Sequence, residues 1–176
     1  IWSYTGINSI TIGDAAGDNF GNTYFTSVSK LTKLSPAGSL IWERMHTLAG
    51  YRVEVGTDNA PVISGFPNTG TAGAAFMKYN PDGTVQWENL DADGPSYGLL
   101  LHAQMILDAS NNAYLAAGTL FEMAVCKINS NGTAAWTHTA PGSYANGFDL
   151  GADNNVYLVG GNTAKFVQVV PPSCTT

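Results

Sequence analysis

Four tryptophans and three lysines stand out as residues whose type and spacing could carry chemistry. Trp2, Trp42, Trp87 and Trp136 follow one another at intervals of 40, 45 and 49 residues, and Lys33, Lys78 and Lys127 each lie nine residues before a tryptophan. An indole can stack on a sugar ring or fill a joint between repeated units. Because these indoles recur once per unit, packing between neighbouring units is expected of them, with sugar stacking as the alternative. The lysines are expected to meet the tryptophan face, or Glu43 and Glu88, across a hairpin. Such a contact is worth roughly 0.5–1 kcal/mol. Gln168 takes the lysine position in the fourth unit, which weakens the case for a fourfold ligand site.

Asp14, Asp18, Asp108 and Asp153 sit among Asn and Gly. Calcium loops need oxygen ligands at alternating positions; these segments lack that spacing, and side-chain-to-backbone Asx turns account for them. No metal and no cofactor is therefore expected, although inner-strand carbonyls of a narrow tunnel could hold an ion. His46, His102 and His138 are scattered, with His46 and His138 expected at exposed strand ends. No G-x-S-x-G, HExxH or phosphate-cradling loop is present. Asn131-Gly132-Thr133 matches a glycosylation sequon, but a tight turn already explains the Asn-Gly pair. Cys126 reads as a buried thiol within a strand, or as a partner for Cys174 where the compartment is oxidising; Cys174 could instead bridge to a neighbouring subunit.

These side chains need a scaffold. The chain has 176 residues, enough for one domain, and is 44% hydrophobic but only 11% charged, which excludes disorder. Twenty glycines and eight prolines suit many short strands and tight turns. The net charge of −6 repels phosphate backbones, so nucleic acid is not an expected partner. No apolar run reaches the roughly 18–20 residues of a membrane helix. A start at Ile1 without methionine fits a trimmed chain or a mature secreted one.

The repeat is explicit. KLSPAGSLIW (33–42), KYNPDGTVQW (78–87) and KINSNGTAAW (127–136) share one register without a gap. Each reads as a hairpin whose type I turn closes on a left-handed glycine: Gly38, Gly83 or Gly132. Upstream strands are expected at Asn22–Thr26, Pro61–Gly65, Asn112–Ala116 and Asn155–Gly160. Shorter apolar ones are expected at Ile10–Ile12, Val53–Val55, Met105–Leu107 and Phe148–Leu150. Four strands in about 45 residues make a propeller blade. The fold expected is all-β, a four-bladed β-propeller with four antiparallel strands per blade. Its blades span about 9–46, 51–91, 102–139, and 146–170 plus 1–6, with a tail at 171–176. Ile1-Trp2-Ser3-Tyr4-Thr5 resembles the outer strands at 41–44 and 135–139, so it should complete the last blade beside 164–170. Pairing the two ends would remove an exposed edge.

The units resemble the bacterial SBBP propeller repeats and, more distantly, the tryptophan-motif repeats of quinoprotein-like propellers. Asn22, Asn112 and Asn155 match the turn asparagine, Tyr24, Tyr114 and Tyr157 the aromatic, and Trp42, Trp87 and Trp136 the outer tryptophan. The second blade departs, with Asn59-Ala60-Pro61-Val62 and no tyrosine. Those families usually carry more than four blades and share no single activity; the resemblance implies a fold and a bias towards secretion. The function expected is a non-catalytic extracellular or cell-surface module that binds protein, copies of itself included. A glycan-binding lectin is the alternative, with Tyr51, Phe66, Tyr97, Phe121 and Tyr144 as ligand-facing aromatics. A hydrolase or lyase is the third reading.

Overall fold

The computed structural model describes residues 3–4, 12–67, 73–92, 103–118, 122–141, 145–152, 155–160 and 165–169. All its regular elements are antiparallel strands, arranged in four sheets, each running in chain order. The first holds β1 (Ile12–Gly17), β2 (Thr23–Ser27), β3 (Lys30–Leu34) and β4 (Leu40–Met45). The second holds β5 (Leu48–Val55), β6 (Pro61–Pro67), β7 (Ala74–Tyr79) and β8 (Val85–Ala92). The third holds β9 (Gln104–Leu107), β10 (Ala113–Gly118), β11 (Glu122–Ile128) and β12 (Ala134–Pro141). The last shows β13 (Ala145–Leu150), β14 (Val156–Gly160) and β15 (Lys165–Val169).

Alternation explains how the sheets stack. In the first sheet, Tyr24, Lys33 and Trp42 stand directly across from one another. Tyr24 and Trp42, with Leu31, join Val53, Ile63, Ala75 and Met77 of the second sheet in one buried cluster. Val62 and Phe76, on the opposite face of the second sheet, join Met105, Leu115, Cys126 and Ile128 of the third. Tyr114 and Val125 then join Val156 and Leu158 of the fourth. The second and third sheets thus each bury one face against the sheet before and the other against the sheet after. Burial of apolar side chains at about 25 cal/mol per Å² drives this stacking.

The outer hairpins form as the turn chemistry requires. Gly38, Gly83 and Gly132 take φ of 79°, 86° and 88°, and each donates its N–H to the carbonyl three residues back. The ladder slips by one residue just before each turn, as a glycine-closed bulge demands.

Three innermost strands differ from expectation, β13 by starting at Ala145 rather than Phe148. β1 begins at Ile12 and continues through Asp14-Ala15-Ala16-Gly17, and β5 begins at Leu48. Ala15, Ala16 and Gly17 pair with Phe25, Tyr24 and Thr23. Large neighbours on β2 supply the packing those small residues lack, so context overrides their weak strand preference. The expected closing strand falls mostly outside the described residues. Ser3 and Tyr4 are described and belong to no strand, and the Tyr4 ring lies 6.0 Å from that of Phe25.

Candidate functional site

The turns between the first and second strands of the first and third sheets are built around an aspartate. Asp18 accepts from the backbone N–H groups of Phe20 and Asn22, from the Asn22 amide at 2.8 Å and from the Tyr24 hydroxyl. Asp108 accepts the same four bonds, from Ser110, Asn112, the Asn112 amide and Tyr114. Burial alone would raise both carboxyl pKa values, but the bonds from the asparagines and the other donors outweigh it and hold both below the ordinary range. The Tyr24 phenol is pushed well above its usual value, by burial first and then by the Asp18 charge.

Lys33 and Lys78 reach the aspartate turn of their own sheet, and Lys127 reaches the Tyr114 ring, rather than the outer-strand glutamates. Lys33 Nζ lies 3.6 Å from Asp18, with both side chains nearly inaccessible. It also sits 4.9 Å from the Tyr24 ring and donates to the Pro81 carbonyl. Lys78 pairs with Asp58 at 2.6 Å, and Lys127 lies over the Tyr114 ring at 5.0 Å. Glu43 pairs instead with Lys30 and accepts from Thr32. The expected partners were taken from the neighbouring strand of the hairpin, whereas a lysine stem spans two strands to the inner turn. The cation over Trp42 is Arg44, at 5.5 Å.

Two of the outer tryptophans, Trp42 and Trp87, tie their sheets to the next. Trp42 Nε1 donates to Pro81 O at 3.1 Å, and Arg44 reaches Gly83 O. One sheet on, Trp87 Nε1 donates to Ser130 O at 2.9 Å and Asn89 to Gly132 O. Both glycines lie flat against the indoles, where an added Cβ would stand 3.0 Å from Trp42 and 2.8 Å from Trp87. Trp136 packs edge-on to Tyr114. Trp2 lies outside the described residues.

A second tie, not foreseen from the sequence, runs the other way. Asn59 and Asn111 adopt positive φ and turn their side-chain carbonyls back onto the preceding sheet. Asn59 Oδ1 accepts from Asn19 N, and Asn111 Oδ1 from Thr57 N and its hydroxyl. Gly56 is small because a Cβ there would collide with Asn111. The signal was present: aligned on these turns, Gly21, Asn59 and Asn111 occupy one repeat position, and asparagine tolerates the left-handed region.

His46 is buried, against the expectation of an exposed strand end. Its Nδ1 bonds to the Leu48 carbonyl at 2.9 Å and its backbone N–H to Ser29 O, because the link from β4 to β5 folds under the β2–β3 turn. Burial lowers its pKa, outweighing the Leu48 and Lys30 carbonyls. His138 is exposed on β12, and His102 lies outside the described residues. Cys126 is a buried free thiol, its pKa pushed up to about 12 by burial, and Cys174 lies outside the described residues. Phe66 packs partly buried against the core between the second and third sheets. Only the backbone of Tyr51 is described, and Tyr97, Phe121 and Tyr144 fall outside the described residues, as does Asp153. Tyr157 is half-buried on β14, and Gln168 is described by backbone alone.

On the innermost strands Asp14 accepts from Val53 N across the first joint, and Arg52 donates to the Ala103 carbonyl across the second. Burial, then the Asp14 charge, raises the Glu54 pKa. Among the described residues no three His, Cys, Asp or Glu side chains converge as a metal site would.

With so many polar side chains bonded between sheets, the exposed apolar ones become the distinctive surface. The exposed large ones among the described residues are Leu40, Ile41 and Met45 on β4, Phe20 and Val28 in turns of the first sheet and Val85 on β8, with Met45 70% exposed. Leu40, Ile41 and Met45 lie along β4, whose outer edge is unpaired in that sheet. The corresponding strand of the third sheet carries Ala134, Ala135 and Thr139 at these positions.

No family model matches this chain, and no curated protein matches it. Solved structures do. A protein of unknown function from Bacteroides caccae is similar over 98% of this chain and 61% of its own, with 13% identity and a TM-score of 0.65. The Dos1 propeller is similar over 85% of this chain and 42% of its own, at 10% identity and a TM-score of 0.63. A gluconolactonase from Xanthomonas campestris is similar over 92% and 58%, at 16% identity and a TM-score of 0.60. The chain spans 42–61% of the length of these structures. At such identities the likeness concerns the fold alone, and the fold is a β-propeller.

Proposed function

We propose that this chain is a non-catalytic propeller module that works outside the cell by binding protein, copies of itself included. The observation that carries the reading is a division of labour. Trp42 and Trp87 bond from one sheet to the next and the repeated aspartates brace turns within their own sheets, while large apolar side chains lie exposed along β4. Monomeric proteins seldom leave such side chains clustered in the open, and an unpaired strand edge invites pairing. Sparse charge and a polar, lysine-poor surface support the extracellular setting. In sedimentation velocity, the protein is expected to associate as its concentration rises. Leu40→Lys with Met45→Lys should abolish association while leaving the circular dichroism unchanged. A wild-type protein that stays monomeric at high concentration would remove self-association.

The arrangement we favour is a closed four-bladed ring, with residues 1–5 completing the fourth sheet. It is supported by Tyr4 lying on Phe25. Phe25 and Thr32 pair with each other on the face of the first sheet opposite Tyr24, and both are buried. A run of four blades within a longer ring is the second reading, favoured by the greater length of the similar structures. Cysteines at Ser3 and Gln168, with Cys174→Ser, discriminate. Closure predicts an intrachain disulfide in the monomer under mild oxidation. Free thiols throughout would favour the open run.

A further inference from the structure

We propose that the Asn131–Gly132 turn is a site of spontaneous modification by water, through loss of the Asn131 amide, and that this chemistry governs the latch between the second and third sheets. Asn131 is exposed at the tip of the β11–β12 hairpin. Its Oδ1 accepts from both the backbone N–H and the hydroxyl of Thr133, at 3.1 and 2.7 Å. Two donors on one carbonyl oxygen draw electron density from Cγ and make it a better electrophile. The neighbouring nucleophile is the Gly132 nitrogen, whose residue carries no side chain of its own.

The Gly132 nitrogen bonds to Cγ of Asn131, the Cγ–Nδ2 bond breaks, and ammonia leaves carrying the proton that nitrogen gives up. Water then opens the five-membered imide at either carbonyl. One opening gives aspartate at position 131; the other gives isoaspartate, with one extra methylene in the backbone. No oxidant, metal or enzyme is required.

The two products differ in consequence, and the second sheet shows why. Its equivalent turn carries Asp82-Gly83, with Asp82 Oδ1 accepting from the Thr84 N–H and hydroxyl at 2.9 and 2.7 Å. Asn80 braces Thr84 there as Asn129 braces Thr133. Aspartate at position 131 therefore fits the turn unchanged. Isoaspartate does not. A longer backbone displaces Gly132 from the Trp87 face and pulls the Ser130 carbonyl away from Trp87 Nε1. The bond from Gly132 N to Asn129 O, at 2.8 Å, restrains the nucleophile, so the reaction runs slower than in a free peptide.

Asn146-Gly147 supplies an internal control, since its glycine sits in the β13–β14 ladder. The full chain would be held at pH 8 and sampled by peptide mapping that separates aspartate from isoaspartate. Conversion is expected at Asn131 ahead of Asn146. The isoaspartyl fraction should show altered tryptophan fluorescence and a lower melting temperature, whereas Asn131→Asp should match fresh wild type in both. An intact Asn131 while a free peptide of the same sequence converts would overturn the proposal. So would conversion at Asn146 first, or an isoaspartyl fraction as stable as the parent.

Discussion

Gly132→Ala should lower stability by about 2–4 kcal/mol, a drop of roughly 5–15 °C in the melting temperature of a chain this size. Two separate effects add. At φ of 88° any L side chain other than Asn or Asp is strained by about 1–2 kcal/mol. The new methyl would also stand 2.8 Å from Trp87, far inside van der Waals contact, and the hairpin must withdraw. Withdrawal lengthens the bond from Trp87 Nε1 to Ser130 O and that from Asn89 to Gly132 O. Gly21→Ala separates the two effects. Its φ is 77°, but its added methyl would meet Pro36 at 3.4 Å, a tolerable approach. It should therefore cost only about 1–2 kcal/mol. Thermal melts of the two variants test the assignment, and equal losses would show that Trp87 does not press on the turn.

Asp18→Ala should cost about 3–5 kcal/mol, the range for removing one member of a buried ion pair. The substitution leaves two backbone N–H groups and the Asn22 amide without their acceptor, while the Tyr24 hydroxyl keeps the Asn59 carbonyl. Lys33 would be left charged in a site where its side chain is 8% exposed. Adding Lys33→Met should recover part of the loss, because an unpaired buried charge costs more than a missing pair. Asp108→Ala should cost less, about 2–3 kcal/mol for its unmet donors, since Lys127 lies over Tyr114 rather than beside the carboxylate. Chemical denaturation of the single and double variants gives the coupling directly.

The same carboxyls set an acid limit. Both have folded-state pKa values below the ordinary 3.8, so over that interval the unfolded chain binds more protons than the native one. The stability they contribute is complete above 3.8 and is lost as pH falls from there through the depressed folded values. In Asp18→Ala that part of the acid-induced loss should disappear, leaving a shallower slope below pH 4.

The sequence by itself determined whatever depends on a residue and its immediate neighbours. A glycine five residues after each lysine marked a left-handed turn, and Gly38, Gly83 and Gly132 occupy it. Asparagine and aspartate around 18–22 and 108–112 marked Asx turns, and those turns formed. The 45-residue period placed the four sheets, because hairpin pairing needs only alternation and turn geometry. Tertiary structure decided which partner each side chain meets. Stacking one sheet on the next brings the Trp42 indole to a carbonyl 39 residues away, and Lys33 to an aspartate two strands over. It folded His46 under a neighbouring turn and left β4 uncovered. Those outcomes depend on the rotation and offset between sheets, and repeat spacing encodes neither.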